Sequence, residues 1–199
     1  NIFFKKEYFD SGYIGLLGLS TLFIYSYISN IFFSHSYTHN LILVILGFCI
    51  FLNNCKKFQE FRFLLLIFLF LFISLIIFKT HDDFPYYHFG YTYLLTDKNL
   101  IFGIGHLNHG FRTPSSIFYL NSLFILPFIK NYLIHLPAIM ILGFVNYTFL
   151  RKVFSDVKLK KFDFIFFYQI FSIIFINIFF YRISEHGTDR SAQILIFLL

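Results

Sequence analysis

The side chains best suited to chemistry begin in the stretch 78–95, FKTHDDFPYYHFGYTYLL, which directly follows an apolar run. Two adjacent carboxylates, Asp82 and Asp83, stand at the end of that run, and His88 follows shortly after them. A carboxylate beside an apolar boundary holds its proton more tightly than one in water, which suits a general base. The simpler interpretation is a polar cap where a helix leaves a membrane, and the pair alone does not decide between the two.

A second polar stretch lies downstream, at 103–116. It reads GIGHLNHGFRTPSS, so that glycines separate His106, Asn108, His109 and Arg112. Glycine lets the backbone approach a ligand closely, and arginine suits a phosphate or carboxylate. We predict that these four side chains and His88 bind substrate. The histidines and aspartates could instead hold a divalent metal, but their spacing matches no compact pattern such as H-E-x-x-H, so no cofactor is predicted.

A third group lies in SEHGTDRSAQ, at 184–193, and contributes Glu185, Asp189 and Arg190. Taken alone, this stretch is most simply a solvated turn. Ionisable groups at a membrane edge are nevertheless functional candidates, and Arg190 offers a second phosphate-binding group. We therefore predict that these three residues join the substrate-binding site.

The elements that position these groups are predicted from composition. The chain is 58% hydrophobic and 24% aromatic, and its 13% of charged residues is about half of the roughly 25% found in soluble domains. This composition is typical of an integral membrane protein. The net charge of +6 does not indicate nucleic acid, because the basic residues lie between apolar runs instead of clustering. The two cysteines form no disulfide framework.

A helix needs about 20 apolar residues to cross a bilayer. The sequence predicts an all-α, polytopic transmembrane fold in a single domain. The predicted spans are 12–33, 38–53, 61–78, 132–150, 162–181 and a truncated one at 192–199. Residues 79–131 are predicted to form one long outer loop. Because the chain starts at Asn1 and ends within an apolar run, we expect it to be a fragment of a longer protein.

The orientation is predicted from the basic residues. Ten of the sixteen lysines and arginines lie at the N-terminus, in 54–62 and in 151–161. Cytoplasmic loops are enriched in these residues, so the N-terminus is predicted to be cytoplasmic and the 79–131 loop extracytoplasmic. The predicted location is the bacterial inner (plasma) membrane, with multiple passes. His35, His39 and His135 then fall near helix ends, where we expect hydrogen-bonded interfacial side chains.

One apolar stretch in the outer loop, 117–129, is too short to span. With Pro127 near its end, it is predicted to be an interfacial or partly inserted helix. Thr113 is its predicted N-cap, with Pro114 in the first helical position, where a missing amide costs nothing.

Three stretches together carry a family resemblance: DFPYYH, then GIGHLNHGFRTPSSIFYLNSLF, and later EHGTD. Over about 80–195 the chain resembles a family of uncharacterised bacterial multipass membrane proteins, itself similar to the GT-C superfamily of membrane glycosyltransferases. In those enzymes a long extracytoplasmic loop carries an essential aspartate. The resemblance implies that Asp83, in the pattern D-x-x-x-Y-H, is that aspartate and that Asp82 tunes it.

The resemblance implies a function: transfer of a sugar from a polyprenol-phosphate-linked donor to an acceptor at the extracytoplasmic face. Asp83 would be the base, and Arg112 or Arg190 would stabilise the departing phosphate. The expected partners are membrane lipid and the lipid-linked donor, with no nucleic acid. The alternatives are a transporter or flippase of lipid-linked or anionic solutes, which predicts ionisable residues in mid-span, and a structural membrane protein, which predicts no shared cleft. The oligomeric state is not predicted.

Overall fold

The computed structural model describes residues 10–54, 58–76, 82–179 and 188–199. Over these ranges the regular structure is helical, apart from one antiparallel bridge between Leu126 and Lys130. The α-helices, numbered α1 to α8, are Ser11–Phe32, Tyr37–Asn54, Phe58–Ile76, Phe89–Asp97, Ile117–Ser122, Leu136–Leu159, Phe164–Phe179 and Thr188–Ile196. The predicted all-α fold is therefore confirmed.

The Asp10 side chain caps the start of helix α1, and a short connection joins the end of α1 to α2. The Asp10 carboxylate accepts a hydrogen bond from the Tyr13 amide at 2.9 Å, which satisfies one of the free amides of the first turn. After Phe32 the chain becomes extended and re-enters a helix at Tyr37. Tyr25 then hydrogen-bonds to His39 at 2.8 Å, which links α1 to the first turn of α2.

Helix α6 is the centre of the bundle, since nine consecutive residues, 141–149, are buried on it. Glycines let its neighbours come close. A Cβ on Gly12 of α1 would lie 2.6 Å from the Phe144 carbonyl oxygen, and a Cβ on Gly15 would overlap the Phe144 ring. Such a close approach leaves no room for any side chain, so α1 packs directly against α6.

Ring contacts give the direction of α3 relative to α6. Phe63, near the start of α3, lies 5.6 Å from Tyr147, while Phe68 lies 5.3 Å from Phe144. Residues later in α3 therefore contact residues earlier in α6. α1 and α3 both run antiparallel to α6, and the core forms where the three helices meet.

Two of these helices, Ser11–Phe32 and Leu136–Leu159, are long and apolar enough to cross a membrane. Three shorter apolar helical stretches accompany them, at Tyr37–Asn53, Arg62–Phe72 and Phe164–Phe179. Their outward faces are also apolar: Ile24 on α1 is 61% exposed and Phe70 on α3 is 76% exposed. Surface of this kind is unfavourable in water and is typical of contact with lipid or another apolar partner.

Two predicted span boundaries are wrong. The truncated span predicted at 192–199 is a helix over Thr188–Ile196. The span predicted at 132–150 begins at Leu136, and its helix continues to Leu159, through most of the basic stretch predicted as a loop. Nothing between Arg151 and Leu159 breaks a helix, because this stretch contains no glycine or proline. The helix ends where Lys160 adopts a left-handed conformation with φ 53°.

The predicted interfacial helix at 117–129 also requires correction. The helix covers only Ile117–Ser122, and Ser116, not Thr113, occupies the N-cap position. Phe118 and Ile125 are buried inside the protein instead of facing a membrane surface. Pro127 disfavours helical geometry at Leu126, so a helix cannot run on through 129. The long predicted loop is thus a folded segment containing α4 and α5.

Candidate functional site

The predicted site residues lie mainly in the segment 82–135, which packs on the end of the bundle where α1 ends and α6 begins. The Asn30 side chain, at the end of α1, donates to the carbonyls of Leu95 and Lys98 at 3.3 and 3.4 Å. The Leu100 amide in turn donates to the Asn30 carbonyl at 2.9 Å. These bonds fix the end of α4 against the end of α1.

The buried His35 side chain links α1 to α5 by hydrogen bonds. Its Nδ1 lies 2.6 Å from the Ser122 hydroxyl and its Nε2 lies 2.9 Å from the Ser29 hydroxyl. The Ser122 hydroxyl donates to the Tyr119 carbonyl at 2.8 Å and the Ser29 hydroxyl donates to the Ser26 carbonyl at 3.3 Å, so each hydroxyl bonds both to the backbone and to the imidazole. Burial, followed by the neighbouring His39, lowers the pKa of His35 from 6.5 to about 4. His35 is therefore neutral at pH 7.

The same junction includes α2. The Asn40 amide donates to the carbonyls of Ser122 and Ile125 at 2.7 and 3.0 Å, and its oxygen accepts from His39 Nδ1 at 3.0 Å. His39 Nε2 then accepts from Tyr25. The hydrogen bonds expected of His35 and His39 are present, and they tie α1 and α2 to the outer segment.

His135, immediately before α6, is 3% exposed and lies 6.4 Å, ring to ring, from Phe84. Burial alone lowers the pKa of His135 from 6.5 to about 3. Like His35, it is a neutral packed side chain at pH 7.

Asp83 introduces a single π-helical turn, Phe84–His88, which continues directly into α4. Turns of this type are rare and occur frequently at functional sites, because the wider coil re-aims side chains. Asp83 is half-buried and does not cap the turn, whereas Asp82 is exposed. His88, at the other end, is 5% exposed and packs 5.0 Å from the Phe118 ring.

Tyr87 lies within electrostatic range of both acidic stretches. Its half-buried ring lies against His88 at 4.4 Å and Phe118 at 6.3 Å. Burial raises the pKa of Tyr87, and the negative charges of Asp83 and Asp189 raise it further. Residues about a hundred positions apart in the sequence thus act on one phenol group.

The glycine-rich stretch forms two short turns beside Tyr87. Gly103 adopts a left-handed conformation, φ 77°, ahead of the turn Ile104–His106. Asn108 caps the second turn, His109–Phe111, by accepting from the Gly110 amide at 2.8 Å. Gly110 itself lies directly on Tyr87, since a Cβ there would be 2.6 Å from Tyr87 Cβ. This contact joins the two outer motifs.

Arg112 follows the second turn and is exposed. Its Nε donates to the Gly105 carbonyl at 3.3 Å, which holds the arginine near the glycine-rich turns. That bond leaves both terminal amino groups of the guanidinium to bind an anion in a bidentate manner. His106 and His109 are also exposed, whereas the Asn108 oxygen is occupied by its own turn.

The structure thus brings Asp83, Tyr87 and Asp189 into electrostatic range and places the 103–112 turns against them. Arg190, partly buried, follows Asp189 in the first turn of α8. Glu185 lies outside the described residues. In the described part of the chain no three histidine, cysteine or acidic side chains form a metal-binding group.

Sequence reasoning missed two participants. Tyr87 is one tyrosine among fourteen, and only its place beside His88 in DFPYYH sets it apart. Ser122 lies in an apolar stretch, and its pairing with His35 spans 87 positions. The sequence also did not show that position 110 has no room for a side chain, although the repeated glycines of the motif were a signal.

The fold and the site define an all-helical protein, whose described residues include two helices long and apolar enough to cross a membrane and a folded polar segment at one end of the bundle. No family model, curated protein or solved structure matches the chain. The functional assignment therefore depends on the residues and the geometry described above.

Proposed function

We propose that this chain is the catalytic part of a polytopic membrane glycosyltransferase, which moves a sugar from a polyprenol-phosphate-linked donor at the extracytoplasmic face of a bacterial inner membrane. The observation that carries the proposal is the packing of the arginine-bearing glycine-rich turn on Tyr87, through Gly110, with Asp83 and Asp189 both in electrostatic range of that phenol. Carboxylates suit sugar hydroxyls, and arginine suits the phosphate. The resemblance proposed from the sequence motifs implies the same assignment.

Asp83 is the proposed general base. The acceptor O–H proton passes to the Asp83 carboxylate while the acceptor oxygen forms a bond to the anomeric carbon. The bond from that carbon to the phosphate oxygen breaks, and its electron pair remains on the phosphate. A single displacement of this kind inverts the anomeric configuration. The terminal amino groups of Arg112 stabilise the negative charge on the departing phosphate.

Tyr87 and Asp189 have a supporting role in this proposal. A phenol whose pKa is raised stays protonated at neutral pH and can donate a hydrogen bond. Asp189 supplies a second carboxylate for a sugar hydroxyl. The exposed His106 and His109 border the same turns and would contact the outer part of the substrate.

The test is turnover of polyprenol-phosphate-linked sugars in membranes that contain the chain. Asp83→Asn removes the base while keeping the size of the side chain, and we expect turnover to fall by about 10²–10⁴-fold. The matched control is Asp97→Asn, on the same segment, where an exposed carboxylate only pairs with Lys98 at 3.6 Å. That control should keep its activity, because exposed ion pairs contribute little.

Equal turnover in Asp83→Asn and the unsubstituted chain would overturn the assigned base. Movement of the intact lipid-linked sugar across the membrane without transfer would favour the transporter instead. A transporter that relays protons needs ionisable groups within its spans. No Asp, Glu, Lys, Arg or His occurs within Ser11–Phe32, and in Leu136–Leu159 such residues begin only at Arg151, in the last turns of the helix.

A further inference from the structure

A tight turn carries an aromatic side chain away from the protein just before α6. In this turn the Lys130 amide donates to the Leu126 carbonyl at 2.7 Å, and the Leu126 amide donates back to the Lys130 carbonyl at 3.3 Å. Lys130 closes the turn in a left-handed conformation, φ 53°. At its tip Phe128 is 92% exposed.

The base of the turn is fixed to the core. Ile125 and Ile134, on either side, are each 1% exposed. The Asn40 side chain holds the Ile125 carbonyl at 3.0 Å, in the junction that contains His35. Phe128 therefore projects from a closed turn with anchored ends and is not a side chain of a loose loop.

The chemistry around Phe128 indicates what this turn contacts. Tyr132 is 76% exposed and Lys130 is exposed, so two aromatic rings flank one cation. No carboxylate occurs between positions 117 and 155. Aromatic rings favour the headgroup region of membranes, and basic side chains favour anionic lipids. The turn also lies directly before Leu136, where a helix able to cross a membrane begins.

We propose that the 126–132 turn is a membrane anchor, in which Phe128 and Tyr132 enter the interface of an anionic bilayer and Lys130 contacts lipid headgroups. This inference rests on the membrane location proposed above. By holding the start of α6 and the base of the outer segment at the bilayer surface, the anchor sets the height of the 82–135 segment above the lipid.

The chain contains no tryptophan, so one introduced tryptophan is an unambiguous fluorescent reporter. Phe128→Trp places it on an exposed tip, where the larger ring fits without repacking. The full chain is reconstituted into phosphatidylglycerol–phosphatidylcholine vesicles, with or without lipids brominated at known depths. We expect emission shifted to the blue, strong quenching by lipids brominated close to the headgroups, and weak quenching by acrylamide.

The reference variant is Ile24→Trp, on the exposed face of α1 and away from either end of that helix. We expect its quenching to be strongest with bromines deep in the acyl chains. If Ile24→Trp is quenched by lipid while Phe128→Trp is quenched only by acrylamide, the anchor is overturned and the membrane location stands. If neither is quenched by lipid, the membrane part of the proposed function fails as well.

The contact of Lys130 with lipid headgroups is tested by removing its charge and by varying the fraction of anionic lipid. Lys130→Gln keeps a long polar side chain and removes the cation. Lipid quenching of Phe128→Trp should increase with the phosphatidylglycerol fraction, and in the double variant this preference should weaken about fivefold, the effect of one basic group near an anionic surface. An unchanged preference for anionic lipid would show that Lys130 does not contact the headgroups.

Discussion

Gly110 is the residue whose size most directly controls the candidate site. A Cβ at this position would come within 2.6 Å of Tyr87 Cβ and 2.7 Å of its Cδ1. These atoms are close to the Tyr87 backbone, so they cannot move aside as the end of a flexible side chain can. The Tyr87 ring is also confined by His88 and Phe118. Any side chain at position 110 must therefore displace the π-helical turn.

We predict that Gly110→Ala destabilises the protein by about 1–3 kcal/mol, the usual cost of overpacking. It should also reduce turnover, because the displaced turn carries Asp83. The measurements are the free energy of unfolding in mixed detergent micelles and the turnover of the lipid-linked donor.

Gly18→Ala is the matched control. Gly18 lies inside α1, and a Cβ there would meet no atom within 4 Å. Alanine is the better helix former by about 0.5–1 kcal/mol, so this variant should be slightly more stable than the unsubstituted chain. If Gly110→Ala were as stable as Gly18→Ala, the packing of Tyr87 on Gly110 would be refuted.

At the scale of elements, α6 and α7 are joined by a reciprocal amide pair. Asn146 donates to the Asn177 side-chain oxygen at 3.2 Å, and Asn177 donates to the Asn146 oxygen at 2.7 Å. Asn177 also donates to the Ile173 carbonyl on its own helix at 2.8 Å. An amide surrounded by apolar groups is costly without a partner, so each asparagine satisfies the other. Because only residues 160–163 connect the two helices and the pair lies far from that connection on both, α7 runs antiparallel to α6.

We predict that Asn146 and Asn177 are energetically coupled. In a double-mutant cycle with Asn146→Ala and Asn177→Ala, the coupling energy should be about 0.6 kcal/mol and at most about 1.7 kcal/mol, as for other interhelical hydrogen bonds in membranes. The measurement is unfolding of the reconstituted chain by denaturing detergent.

The control cycle combines Asn146→Ala with Thr21→Ala. Thr21 lies on α1, and its hydroxyl bonds only to the Leu17 carbonyl of the same helix, at 2.9 Å. These two substitutions should be additive within about 0.3–0.5 kcal/mol. Coupling as large as that of the asparagine pair would mean that the cycle reports a general loosening of the bundle.

At the scale of the whole molecule, the two ends of the bundle differ in chemistry. The end where α1 begins carries the basic residues of α6: Lys152 lies 5.5 Å above the Tyr13 ring, and Arg151 donates to Tyr147 at 3.0 Å. The opposite end carries the 82–135 segment with Asp83 and the histidines. In a bilayer we expect this asymmetry to orient the basic end towards the cytoplasm.

We predict that residues 99 and 158 lie on opposite sides of the membrane. Single cysteines are introduced at the exposed positions Asn99 and Lys158, with Cys49 and Cys55 replaced by alanine. A membrane-impermeant maleimide should label Asn99→Cys in intact cells and Lys158→Cys only after permeabilisation. Equal labelling of both in intact cells would refute the proposed orientation.

Much of the fold follows from local sequence. The apolar runs predicted the positions of α1, α2, α3, α6 and α7, because length and hydropathy are properties of contiguous residues. Helix ends were less predictable. The basic residues from Arg151 onward suggested a loop, but charge does not end a helix, and the backbone continues to Leu159.

The sequence by itself determined that this protein is helical and apolar, and it identified the stretches with the chemistry, DFPYYH, GIGHLNHGFR and EHGTD. Only the tertiary structure decided that Asp83 and Asp189 both act on Tyr87, that Gly110 packs on that ring, and that His35 is a buried junction. The physical reason is separation along the chain. Hydropathy and turn preference act over a few residues, whereas these contacts exist only because helices packed around α6 bring distant residues together.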